Sequence, residues 1–266
     1  MSYIDKLEGF VKEGLTTREM GNKVGMSKSV IQYQLTKLGL NSELKHSKPI
    51  WNEQFFSKID TPESAYILGF MLGDAGYCNN AIEISVALKD KCVVDYIANQ
   101  IGGNVRVDNT LVKKTRRFPH ASLCLGNKNM LIDLGKVFVT RKKKERKIPI
   151  INPHLERYLL LGFFDAEGCL TWGRRKDRNR IWHKICFTSA FDLLVGIQKI
   201  LDKQDIPSQL RPKTGEDCYV LEFSSKKRVL SFLDYLYDDG SFIVLPRKYD
   251  KAKALRLELG ENGEAA

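Results

Sequence analysis

The chain has 266 residues, 43% hydrophobic and 28% charged, which is enough apolar material for a sizeable core without disulfides or a structural metal. Its longest apolar stretch, Tyr158 to Phe164, is too short to cross a bilayer, and the N-terminal MSYIDKLEGF is polar, unlike a signal or transit peptide. The expectation is an intracellular, cytoplasmic protein with no membrane partner. Forty-three Lys and Arg against 32 Asp and Glu leave a net charge of +11, and such an excess favours a polyanion as partner. The cations cluster as KKTRR (Lys113 to Arg117), RKKKERK (Arg141 to Lys147) and RRKDRNR (Arg174 to Arg180), where a merely soluble surface mixes signs. Six cysteines (Cys78, Cys92, Cys124, Cys169, Cys186, Cys218) form no CxxC pair and read as reduced core or strand residues rather than a zinc site.

In chain order, Tyr3 to Lys12 is an amphipathic helix with Ile4, Leu7, Phe10 and Val11 on one side. Thr16 and Glu19 form a capping box for a short helix to Lys23. Val24-Gly25-Met26 makes a turn, and Ser27 caps a third helix from Lys28 to Leu38, ended by Gly39. Short helix, glycine turn and capped helix is helix-turn-helix spacing. Met20, Val24, Ile31, Leu35 and Leu38 face its core. Lys28, Ser29, Gln32, Tyr33 and Lys37 face out, with groups that suit phosphates and base edges of a major groove. The domain spans residues 1–45, and residues 46–60 read as a linker with Trp51 and Phe55-Phe56 docking onto the next domain.

From Thr61-Pro62-Glu63, a helix start, the chain repeats itself once. AYILGFMLGDAG (Ala65 to Gly76) returns as RYLLLGFFDAEG (Arg157 to Gly168). Each copy continues with an alternating strand-like segment (Ala81 to Leu88; Ile181 to Ser189) and a helix (Asp90 to Ile101; Phe191 to Lys203). Further strands come next (Asn104 to Val112 and His120 to Leu125; Gln209 to Pro212 and Cys218 to Ser224), then a second helix (Asn127 to Val137; Lys226 to Leu236) and a basic segment (Arg141 to Lys147; Arg247 to Lys251). A repeat of about ninety residues gives two pseudo-symmetric halves, 61–150 and 151–259, not a solenoid. Residues 260–266 read as a disordered tail.

Gly69 and Gly162 interrupt strong helical patterns, where each costs ~1 kcal/mol relative to Ala. Close packing of the two repeated helices supplies a reason. Asp74 and Glu167 occupy the same repeat position at the helix C-termini, where unpaired carbonyls already make the end negative. Two carboxylates meeting there repel, and a divalent cation relieves both problems. Asp165, whose counterpart is Leu72, reads as structural.

The segments ILGFMLGDA and LLGFFDAEG resemble the paired LAGLIDADG motifs of homing endonucleases, or meganucleases, over roughly residues 60–255. The first copy departs in having Ala75 where the motif's last Gly is usual. The resemblance implies an α+β fold of two αββαββα halves whose saddle-shaped antiparallel sheets lie along double-stranded DNA, with the acids binding Mg²⁺ (Mn²⁺ as a substitute) and each serving one strand. It places a lysine near the end of each half: Lys248 in LPRKYDK, and in RKKKERKIP Lys142 in preference to Lys143. For that run a strip of phosphate contacts is nearly as good a reading.

Candidate DNA contacts on the strands are Lys113, Lys114, Arg116 and Arg117 in the first half's hairpin region, and Arg174, Arg175, Lys176, Arg178, Arg180 and Lys184 in the second's, with Arg211 and Lys213 near another strand end. The leading expectation is a monomeric, sequence-specific double-strand endonuclease with a long asymmetric target, engaged in intron homing in a bacterial, phage or organellar host. The alternative is an RNA maturase or transcriptional regulator on the same scaffold. A small-molecule enzyme has no support, since there is no nucleotide-binding glycine loop and the four histidines do not cluster.

Overall fold

The structure, a computed structural model, describes residues 3–40, 49–78, 80–113, 116–137, 139–175, 180–237 and 242–260, without side chains at 3–5, 109–113, 116–117, 175 and 180. Lys114, Lys176, Arg178 and the tail 261–266 lie outside it. Two compact units appear, residues 1–49 and 50–266. Residues 50–60, read above as linker, cluster with the second unit. Trp51 bridges to Gly102, and Phe56 is buried in the second unit's core.

The first unit holds α1 (Tyr3–Lys12), α2 (Thr17–Val24) and α3 (Lys28–Lys37). The Thr16–Glu19 capping box forms, Gly25 takes φ 71° at the end of α2, and the Ser27 side chain accepts from Val30 N–H. Leu7, Val11, Met20, Ile31 and Leu35 make its core, with Val24 and Leu38 at the edge. One face of α3 stays open, presenting Lys28, Ser29, Tyr33 and Lys37, with Gln32 half-buried.

The second unit opens with α4 (Pro62–Asp74), started by a Thr61–Ser64 capping box and by Pro62. Then come β1 (Ala75–Cys78), β2 (Ala81–Ala87), α5 (Lys91–Ile101), β3 (Arg106–Lys113), β4 (Arg116–Leu125) and α6 (Lys128–Lys136). The order repeats as α7 (Glu156–Glu167), β5 (Gly168–Arg175), β6 (Arg180–Ser189), α8 (Phe191–Asp202), β7 (Gln209–Pro212), β8 (Tyr219–Phe223) and α9 (Lys226–Tyr237). Each half therefore has the αββαββα order. Its antiparallel sheet runs β1-β2-β4-β3 in one half and β5-β6-β8-β7 in the other. Along β2, Ile82, Ile84 and Val86 are buried while Ser85 and Ala87 are exposed, the alternation of a sheet covered on one face.

Several features differ from the sequence reading. β1 and β5 are strands that continue from the motif helices without a gap. The second basic segment is the start of a further helix, α10 (Pro246–Glu258), where the first half has a single 3-10 turn at Lys143–Glu145. The basic hairpins are not equivalents: KKTRR joins β3 to β4, and RRKDRNR joins β5 to β6, which corresponds to β1–β2. The cysteines are free and none is buried; Cys92 lies on α5 rather than in a strand, so the core reading of them does not hold.

The two halves meet along α4 and α7. A Cβ at Gly69 would lie 2.0 Å from Leu159 O, and one at Gly162 would lie 1.9 Å from Tyr66 O. The relation is reciprocal, since Leu159 and Gly162 are offset from Tyr66 and Gly69 by the same repeat distance. No side chain fits, so both glycines trade helix propensity for close backbone approach. Gly162→Ala should destabilise the protein by about 1–3 kcal/mol or more, although the same change at an open helical site stabilises by ~1 kcal/mol. An unchanged chemical-denaturation midpoint would show that the helices can part at no cost.

Candidate active site

α4 and α7 end together. Gly73 at the end of α4 faces Ala166 and Glu167 so closely that a Cβ there would meet them at 2.7 and 2.8 Å. Asp74 and Glu167 are both partly buried. Burial pushes the Asp74 carboxyl above its ordinary value, with the Lys143 and Lys248 ammoniums pulling the other way. Burial and then the charge of Asp74 push Glu167 up, again opposed by Lys143 and Lys248. Glu167 therefore feels the charge of Asp74, as a carboxylate brought beside another at negative helix ends does.

The lysines divide differently from the sequence expectation. Lys142 is exposed and pairs with Glu145 at 3.0 Å, away from the acids. Its neighbour Lys143 donates from Nζ to Gly73 O at 2.7 Å and lies 3.7 Å from Glu167 Oε1. The 3-10 turn at Lys143–Glu145 decides this, since one residue along a tight turn swings a side chain by about a third of a circle.

Lys248 is buried, and its Nζ donates to the carbonyls of Phe164, Asp165 (2.9 Å) and Gly168 (2.7 Å). Those bonds use its three protons, so it seals the end of α7 and has none free for a substrate. Burial lowers its pKa to about 8, with Asp165 opposing and Arg247 adding to the shift.

Arg146, which the sequence did not single out, does the same for α4. It is fully buried and donates to Met71 O (3.1 Å), Leu72 O (3.0 Å) and Ala75 O (2.7 Å). Arg247 forks onto Asp90, with Nη2 to Oδ2 at 2.8 Å, which ties the second half to the start of α5.

Asp165 is buried in the helix interface. Tyr66 Oη donates to its Oδ2 at 2.8 Å, while its Oδ1 has no partner. Burial raises its pKa to about 7 against the pull of Lys248, Tyr66 and Arg247.

Several candidate DNA contacts are held by acids of the chain itself. Lys184 lies 3.2 Å and Arg211 3.0 Å from Glu222, Lys213 2.8 Å from Glu216, and Arg174 pairs with Glu258. Lys113, Arg116, Arg117, Arg175 and Arg180 stand at hairpin ends by their backbone register, with no described side chain.

Asp74 and Glu167 could hold a divalent metal. Among the described residues no cluster of three His, Cys, Asp or Glu side chains adds to them. A two-carboxylate set under mutual repulsion suits a hard ion that keeps water and takes phosphate oxygens, as Mg²⁺ does, and not a zinc site. No helix of the described residues is long and apolar enough to cross a membrane.

Asp165 has a consequence for pH. The folded chain keeps this carboxyl protonated up to about pH 7, while the unfolded chain releases the proton near 3.8. Stability should therefore fall as pH rises from about 4 to about 7. Asp165→Asn should flatten that slope in denaturation midpoints measured across the range. Equal slopes in both proteins would show that Asp165 titrates normally.

Residues 154–237 match the LAGLIDADG-like domain family. No curated protein matches the chain by sequence. Among solved structures, LAGLIDADG homing endonuclease I-GzeII in complex with its DNA target matches at 10% identity and TM-score 0.50, covering 77% of this chain and 93% of that one. I-LtrWI bound to target DNA matches at 11% identity and TM-score 0.50, covering 79% and 93%. Meganuclease I-SmaMI bound to uncleavable DNA matches at 10% identity and TM-score 0.52, covering 76% and 90%. I-SmaMI has also been solved on uncleaved DNA in the presence of calcium ions. Residues 154–237 are thus a LAGLIDADG-like domain, and the two-fold unit of which they form part has the fold of the LAGLIDADG homing endonucleases.

Proposed function

We propose that the protein is a sequence-specific double-strand DNA endonuclease that hydrolyses one phosphodiester in each strand at the ends of α4 and α7. The observation that carries this reading is the convergence of Asp74 and Glu167, each raised by burial and Glu167 further by the charge of Asp74. A partly buried pair of that kind, only partly offset by Lys143 and Lys248, costs stability that a bound cation would recover. Held by the two acids, Mg²⁺ (or Mn²⁺) would supply charge relief on the phosphate and a more acidic water.

The chain's own residues do the remainder. Asp74 and Glu167 would hold the ion through their carboxylate oxygens. Lys143 brings positive charge to the Glu167 side, where it can steady charge developing on the phosphate. Arg146 and Lys248 hold the two helix ends still, so the acids keep their spacing without the substrate. The outward faces of the sheets, with the basic hairpins β3–β4 and β5–β6, take the duplex. The open face of α3 (Lys28, Ser29, Gln32, Tyr33) extends the contact.

The halves differ in hairpin length, β1–β2 being short and β5–β6 long, which favours a long asymmetric site bound by a monomer. Arg174, Lys184, Arg211 and Lys213 must exchange their carboxylate partners for phosphates or bases. Intron homing is the biological role this activity serves.

Incubation with a randomised duplex library and Mg²⁺ should yield double-strand cuts at a recurring sequence. Asp74→Asn or Glu167→Gln should abolish those cuts while leaving duplex binding within about threefold, since most of the affinity comes from distributed phosphate contacts. Normal cleavage by either variant would refute the assignment. Removal of residues 1–45 should weaken binding and leave the cut position unchanged; a change in that position would assign the first unit a role in the chemistry.

A further inference from the structure

The repeat can be traced atom by atom at the helix ends, and there it breaks. Arg146 bonds the carbonyls of Met71, Leu72 and Ala75, and Lys248 those of Phe164, Asp165 and Gly168. The two sets are equivalent in the repeat. Each cation also closes the same backbone turn, Arg146 N donating to Lys143 O at 3.2 Å and Lys248 N to Leu245 O at 3.1 Å. Lys143 and Leu245 are therefore counterparts.

Lys143 sets an ammonium between Gly73 O and Glu167. Leu245 is buried and lines a cavity of about 160 Å³ beside Asp74. The cation lining that cavity, Arg247, is committed to Asp90. The field of Lys143 reaches Asp74 too, but its ion pair is with Glu167.

We propose that the two strands are cut at unequal rates, because Lys143 serves one phosphodiester and a leucine stands where its counterpart would serve the other. This rests on the nuclease reading and specifies how the two sites differ. In each cut, water oxygen bonds to phosphorus, the bond from phosphorus to one ribose oxygen breaks, and that oxygen takes up the proton the water gives up. Negative charge grows on the phosphate as this happens. A fixed ammonium stabilises it at one site, while the other must rely on the carboxylates and what they hold.

The test uses the full chain and its cleavable duplex, with the two strands carrying different end labels, under single-turnover conditions with Mg²⁺. One strand should be cut faster by about tenfold or more, so that a nicked duplex accumulates. Lys143→Met, at a half-exposed position, should slow the faster strand and draw the ratio toward one. Lys143→Arg should keep part of the difference. Duplex binding measured without metal should stay within about threefold among the three proteins, since Lys143 is one cation of many.

Equal rates in the unaltered protein overturn the proposal, as does equal slowing of both strands by Lys143→Met. No cleavage of either strand by the unaltered protein overturns the nuclease reading itself, a different and separately visible result.

Discussion

Two backbone carbonyls set how closely the halves approach. Tyr66 O lies against Gly162, and Leu159 O against Gly69, in space that no Cβ could share. Contacts of this kind, Cα–H against carbonyl oxygen, are weak individually, and their value here is geometric. They bring the helix axes close enough for the C-termini to meet, and with them Asp74 and Glu167. The same closeness buries the last carbonyls of both helices. Arg146 and Lys248 answer that by donating six hydrogen bonds into the two ends. The negative character of the paired helix ends is thereby offset from behind, and the acids are left to face forward.

Much of this was legible in the sequence. The repeated motif fixed the pairing of Asp74 with Glu167, and glycine inside an apolar helix pointed to a tight interface. Thr16, Glu19, Ser27 and Thr61 announced helix starts because capping is a local bond between near neighbours. What failed was non-local. The six cations in RKKKERK look alike on paper, and only the 3-10 turn sends Lys143 to the acids and Lys142 to Glu145. Nothing local marks Arg146 for burial, because the helix-end carbonyls it bonds are more than seventy residues away. The helix α10 was hidden by its density of charge, and the hairpins were paired by their cations when the strand order pairs them otherwise.

The outward face of the second sheet carries Lys184 and Arg211 already engaged. Glu222 lies between Lys184 and Arg211, which hold its carboxyl below the ordinary range. A cation anchored this way has fewer rotamers to lose when it meets a ligand, yet must give up a partner to do so. Glu222, half-buried and charged in the middle of the face proposed to take the duplex, would repel phosphate and would suit a base amino group better. The paired arrangement therefore favours selectivity over strength of attraction, whereas the hairpin tips, with their crowded charges, favour attraction.

The seals on the motif helices also order events in time. Arg146 is 71 to 75 residues downstream of the carbonyls it closes, and Lys248 is 80 to 84 downstream of its own. As the polypeptide leaves the ribosome, each motif helix emerges well before the residue that stops its end from fraying. The first half can lock once Arg146 is out, but the shared helix interface waits for α7, and α7 waits for Lys248. In a nascent chain the end that carries Glu167 is thus sealed later than the end that carries Asp74.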